Sequence, residues 1–326
     1  MFNATEPIAI GGTENTMRPQ DRIMVLGHRG LIGSAIVRNL RARGFQNIIT
    51  VPRAEVDLTN PTETEWMFSS FTPDYVFACA AKVGGVKANN DNGLAFFLDN
   101  MRMEINVLTN AAKYKVKKLL FLGSSCIYPR NSPQPIREEA LLTGLVDRAT
   151  EPYALAKICG VRLCEWYKMA GHNFISAMPC NIYGPGDNYD PESSHCVPGL
   201  IRRMHDTMVA GEKTFAVWGD GTAQREVMFS DDAASALVLL MEQYVGISHV
   251  NCGSDDEMTI RDMARTIARV IGFTGEITFD RTKIVGVRRK IMDNSCIRSL
   301  GWRPKTSFVE GVARTYDAFL VDKSRR

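Results

Sequence analysis

Tyr153 and Lys157 stand four positions apart in the string YALAK, a spacing that puts both side chains on one face of a helix. A phenol with its ordinary pKa near ~10 is a poor proton donor or acceptor at neutral pH until a nearby cation acidifies it. Lysine supplies that cation, so the pair can act as a general acid–base, and the ammonium can also bond a ribose hydroxyl. Taken alone, such a pair more often decorates a surface helix. Here it lies between GSSCIYP and a strand-like run that closes at Asn181, and parallel sheets gather ligands at the carboxyl ends of their strands. A hydroxyl from Ser124 or Ser125 can bond a carbonyl there. Cys126 adds a thiol, whose ordinary pKa near ~8.5 falls beside a cation; away from a reaction site a buried cysteine is core filler.

These groups need a scaffold, and residues 22–42, RIMVLGHRGLIGSAIVRNLRA, predict its first unit. Ile23 to Leu26 is an unbroken apolar run, suited to a strand buried on both faces of a parallel sheet. Gly27, Gly30 and Gly33 then give G-x-x-G-x-x-G, with His28, Arg29, Leu31 and Ile32 between them. The glycines serve a tight turn, a close phosphate approach and helix-on-strand packing, and the helix opening at Leu31 offers its N–H groups to a pyrophosphate. The cofactor type turns on the end of the second strand, residues 47–51. A cation there suits a 2′-phosphate, and Arg53 and Arg29 are both available, which favours NADP(H). The alternative leaves Arg53 solvated and gives the ribose to Glu55 or Asp57, next to Leu58.

Strand and helix patterns alternate through the first half: a strand after Asp74, a helix over 95–114, a strand from Leu119, a helix over 153–169, and a strand running into a loop at ISAMPCNIYG. That alternation is the mark of a doubly wound α/β sheet. After Tyr183 the chain turns loop-rich and the elements shorten. The expected organisation is a dinucleotide-binding domain over 21–183, rejoined by 227–253, and a smaller substrate-binding lobe from 184–226 and 254–326.

Apolar residues make up 45% and charged residues 23% of the 326 positions, as in ordinary soluble enzymes. The net charge of +3 comes from 39 basic and 36 acidic residues that are interspersed, which gives no basis for binding nucleic acid or a membrane. Eight cysteines include no C-x-x-C pair, so neither a metal site nor a disulfide framework is expected, and a reducing, cytoplasmic setting is. The opening residues are polar and glycine-bearing. They are taken as a disordered extension over 1–20, with Met17 an alternative start of the fold. No apolar run approaches the length of a membrane span.

The glycine spacing resembles the extended, sugar-nucleotide-modifying branch of the short-chain dehydrogenases/reductases, a Rossmann-type fold. Within it, the strings GHRGLIGSAI, AAKVGGVKANN, LLFLGSSCIYP, TEPYALAKICG, MPCNIYGPGDN, SSHCVP and VWGDGTAQRE, spread over residues 22–302, are similar to the epimerase-reductases of GDP-4-keto-6-deoxymannose. The resemblance implies NADP(H), epimerisation at C3 and C5 of that substrate, then reduction at C4. It selects Ser124 as the hydroxyl beside Tyr153 and Lys157, and assigns the epimerising proton transfers to Cys126 and His195. It places Ala81, Pro179, Cys180, Asn181, Ile182 and His195 against the cofactor and Arg203, Trp218, Arg225 and Lys290 against the nucleotide sugar. It also implies a homodimer paired through helices 95–114 and 153–169. Three positions depart from the pattern: Cys126 replaces the threonine or serine common in the branch, Cys180 replaces a threonine, and Ile284-Val285 stands where Pro-Asp is usual.

A 4-epimerase or 4,6-dehydratase of the same branch is the competing expectation. A dehydratase needs an acid beside Cys126, where Ile127 and Tyr128 stand, and a 4-epimerase favours tightly held NAD with an acidic second-strand end. A non-catalytic NADP sensor would have no use for Ser124, Tyr153 and Lys157 together.

Overall fold

The computed structural model describes residues 16–191, 193–282 and 287–324. The Ile284-Val285 departure and most of the expected N-terminal extension fall outside the described residues. Met17 is already packed into the main core, so the fold begins before residue 20.

The first apolar run forms β1 (Ile23–Leu26), buried along its whole length; each such side chain contributes roughly 1.5–3 kcal/mol by leaving water. It is followed by α1 (Leu31–Ala42), β2 (Ile48–Ile49), α2 (Pro61–Phe71), β3 (Tyr75–Ala78), α3 (Val86–Asp91), α4 (Gly93–Lys113), β4 (Lys118–Leu122), α5 (Glu151–Met169) and β5 (Phe174–Pro179). The chain continues as β6 (Asn181–Tyr183), α6 (Cys196–Val209), β7 (Thr214–Trp218), β8 (Gln224–Phe229), α7 (Ser230–Gln243) and β9 (Val250–Cys252). It ends with β10 (Glu257–Thr259), α8 (Ile260–Ile271), β11 (Glu276–Asp280), β12 (Arg289–Lys290), α9 (Ser295–Ser299) and α10 (Phe308–Ser324).

Six strands form one parallel sheet in the order β2-β1-β3-β4-β5-β9. Helices α1 and α7 pack together as one layer and α2, α4 and α5 as another. The order reverses at β1, between β2 and β3, and such a switch opens a crevice at the strand ends. The glycine turn, Cys79, Gly123 and Pro179 follow β1, β3, β4 and close β5 respectively, so all face that crevice. Residues 47–51 were expected as a strand, but only Ile48 and Ile49 pair, because this edge strand has one neighbour and Pro52 follows.

The second unit is built on β8, which pairs with β6 and β12 in parallel and β10 antiparallel, beside the β7–β11 pair. Its core joins Leu200, Ile201 and Met204 of α6 to Met263 and Ile267 of α8 and Val312 of α10. Its division from the first unit differs from the expected one. Asn181–Tyr183 pairs with Val227–Phe229 in the smaller sheet, so the chain leaves the main sheet at Pro179 and rejoins it with α7. Met292, Ile297, Leu300 and Trp302 then return to the main core, since α9 packs on β9. Among the described residues no helix is long and apolar enough to cross a membrane.

Candidate active site

Two glycines make the turn after β1 irreplaceable in shape. Gly27 has φ +76, and a Cβ there would lie 2.9 Å from Ala80 backbone atoms. At Gly33 a Cβ would lie 2.2 Å from the Gly27 carbonyl oxygen, so helix and turn touch only because that carbon is missing. The start of α1 carries no side-chain cap and no acidic residue in its first turn. Its N–H groups and partial positive charge are therefore left for an anion, and these features fit a dinucleotide pyrophosphate. Nearby, His28 is held below the ordinary imidazole range by burial and by Arg29.

At the second-strand end Arg53 is 81% exposed and its guanidinium reaches Asp57 at 3.5 Å. Asp57 is held low, first by the Thr59 N–H bond and also by Arg53. Cation and carboxylate thus share this edge, with Arg29 across the turn.

Lys157 is buried under the Tyr153 ring. Its Nζ donates to the Leu122 carbonyl at 3.1 Å, lies 3.2 Å from Glu104 Oε1 and sits 4.5 Å from the Phe121 ring centroid and 5.9 Å from that of Tyr153. The lysine was expected to acidify the phenol. Instead Tyr153 is pushed well above its ordinary range, chiefly by burial, then by the thiol of Cys126 and by Glu104, with Ser124 pulling the other way. The reason is geometric: the ammonium lies below the ring face, and Glu104 offsets its charge. Ser124 caps a 3-10 turn, accepting the Cys126 N–H at 3.2 Å, which fixes that residue's backbone.

Cys126 faces the second unit, where Lys290 Nζ of β12 comes within 3.9 Å of its sulfur. His195 is the N-cap of α6. Desolvation by the surrounding protein, and then the charge of Lys290, lower its pKa. The sequence put Lys290 only against substrate; the fold brings it to the thiol and within electrostatic reach of the imidazole. Farther into the second unit the Arg203 guanidinium stacks 4.6 Å over the Trp218 ring, which is 50% exposed. Arg225 donates to the Gln224 carbonyl at 2.7 Å. Both guanidiniums approach Cys196 and are largely desolvated, the condition in which arginine gains most from an anion.

One cleft of about 720 Å³ collects the turn from Gly27 to Gly33, Arg53, Asp57, Leu58, Ala81, Ser124, Cys126, Tyr153, Lys157, the run Pro179 to Ile182, and His195. Arg203, Trp218, Arg225 and Lys290 lie outside its lining. Two participants had not been anticipated. Asp187 lines the cleft, and burial pushes its carboxyl up to about 7. Glu104 sits four residues after Asn100 and four before Leu108 on the buried stripe of α4, and an acid at that spacing on an apolar face was the available signal.

Residues 23–253 match the NAD dependent epimerase/dehydratase family. GDP-L-fucose synthase 1 of Arabidopsis thaliana is 47% identical over 97% of this chain and 99% of its own length. The chain belongs to the GDP-L-fucose synthase group of that family. A GDP-L-fucose synthase of Escherichia coli is 41% identical over 94% of this chain and 98% of its own. Among solved structures, a GDP-L-fucose synthetase from Naegleria fowleri bound to NADP has a TM-score of 0.88 at 29% identity, covering 95% of this chain and 97% of that one.

Proposed function

We infer that this chain converts GDP-4-keto-6-deoxy-D-mannose to GDP-L-fucose, by epimerising C3 and C5 and then reducing the C4 ketone. The observation that carries the reading is that one cleft is lined by Ser124, Tyr153 and Lys157 together with Cys126 and His195, with Lys290 behind the thiol at 3.9 Å.

The 4-keto group acidifies the C3 and C5 protons, and inversion requires one group to take a proton and another to return one on the opposite side. Cys126 comes from the first unit and His195 from the second, so the sugar lies between them. His195, with its lowered pKa, enters neutral at pH 7 and able to accept. Lys290 supplies positive charge where a thiolate forms. Ser124 bonds the C4 oxygen. When bound, NADPH supplies the hydride for C4. Tyr153, kept protonated by burial, gives its proton to that oxygen, and Lys157 stabilises the phenolate left behind.

The reading takes NADPH as the cofactor. Arg29 and Arg53 flank the adenosine-ribose edge, where guanidiniums suit a 2′-phosphate, and the Naegleria synthetase was solved with NADP. Arg203 and Arg225 face the diphosphate of the sugar nucleotide, with Trp218 packing beside them. The same reading includes a homodimer through α4 and α5, which expose Leu98 and Ile105, and Leu155 and Trp166, respectively; sedimentation of Trp166→Glu against the parent decides it.

The deciding assay follows NADPH absorbance with GDP-4-keto-6-deoxymannose and identifies the product by NMR. GDP-L-fucose is the expected product. An unepimerised 6-deoxy sugar would reduce the chain to a 4-reductase and remove Cys126 and His195 from the chemistry.

A further inference from the structure

We propose that Glu104 is a positioning residue for the C4 reduction, acting through Lys157: its buried carboxylate holds the ammonium beneath the Tyr153 phenol and supplies the counter-charge that keeps it there. The proposal rests on the reading of Tyr153 as the proton donor.

The two side chains are 3% and 2% exposed and 3.2 Å apart. Among the described residues the Glu104 carboxylate has no polar partner besides the Lys157 ammonium, and the surrounding pocket is apolar, with Leu26, Leu58, Ala78, Val107 and Phe121 in its wall. A buried carboxylate with one ammonium as its partner is poor material for stability, because desolvation outweighs what a single ion pair returns. Its gain lies in what it does to Lys157, which spans from Glu104 to the Leu122 carbonyl and so has no freedom to leave the phenol. The other titratable groups facing the pair are Tyr153, Cys159 and Cys164 from α5 and Cys79 after β3. All are pushed upward by burial and stay neutral at pH 7. Glu104 alone titrates in the neutral range, raised to about 7 by burial against the pull of Lys157.

The test compares Glu104→Gln with the parent in three measurements: solvent deuterium exchange at C3 and C5, the pH profile of NADPH oxidation, and an infrared titration of the cofactor-free protein with labelled glutamate. Exchange should be unchanged. The reductive kcat should fall about tenfold with the GDP-sugar KM unaltered, and its alkaline limb should move down by about one pH unit, because a buried ammonium without a counter-charge is disfavoured. Glu104→Asp should restore part of the rate. In the parent, a buried carboxyl should titrate near neutrality, disappear in Glu104→Gln and move to higher pH in Lys157→Met. A Glu104→Gln profile that overlays the parent's, or a carboxyl indifferent to Lys157→Met, overturns the proposal. Should Glu104→Gln fail to fold, the infrared comparison of parent and Lys157→Met decides alone. A parent enzyme that oxidises no NADPH would sink the functional reading, while the infrared coupling would still judge Glu104.

Discussion

The Lys290 ammonium stands 3.9 Å from the Cys126 sulfur, although the two residues belong to different units and meet only across the cleft. The His195 pKa is lowered first by desolvation and then by the same cation. One side chain therefore brings positive charge to both proton-transfer groups.

Lys290→Met should slow deuterium exchange at C3 and C5 by about tenfold or more, on the scale of one lost charge interaction. The sign of the pH effect follows from His195. As a base it works only when neutral, so exchange falls as pH drops through its pKa. Removing the positive neighbour lets that pKa rise, and the acid limb should move to higher pH. NMR exchange rates across pH 5 to 8 check this, and an unmoved limb would separate Lys290 from His195.

Cys126→Ala should lose exchange while binding NADPH as the parent does, measured by cofactor fluorescence. The thiol and the glycine turn line one cleft from separate loops, after β4 and β1 respectively, so the two properties are separable. A parallel loss of cofactor binding would mean that Cys126 supports the Ser124 turn and not the sugar chemistry.

Gly33→Ala should destabilise the protein by about 1–3 kcal/mol, the usual cost of forcing a methyl into packed structure, and should weaken NADPH binding. The added carbon would lie 2.2 Å from the Gly27 oxygen, and that clash must push α1 off the turn. Thermal melting together with cofactor titration reads both effects. An alanine variant with unchanged melting would show that α1 shifts freely.

Arg53→Ala should weaken NADPH binding about tenfold while leaving NADH nearly untouched, because a 2′-phosphate is the only part of the cofactor that gains from the guanidinium. The ratio of the two dissociation constants is the readout. Equal losses for both cofactors would assign this edge to Asp57 and the ribose hydroxyls.

Local rules carried a large part of this protein. The apolar run before Gly27, the three glycines and the Tyr153–Lys157 spacing are short-range patterns, and short-range sterics make a strand, a turn and a helix face out of them whatever the rest of the chain does. The parallel order of the main sheet follows from the same alternation. The position of Ser124 at the end of β4 is equally local, since the turn that it caps spans only three residues.

What the tertiary structure decided are matters of charge and distance between remote segments. Nothing near Cys126 in sequence announces Lys290, because 164 residues separate them and the approach depends on β12 pairing with β8. The protonated state of Tyr153 is likewise a product of folding. The spacing to Lys157 suggested an acidified phenol, but burial and the Glu104 counter-charge reverse the direction. Spacing fixes which side chains share a face; desolvation and the charges that other elements bring decide what those side chains can do.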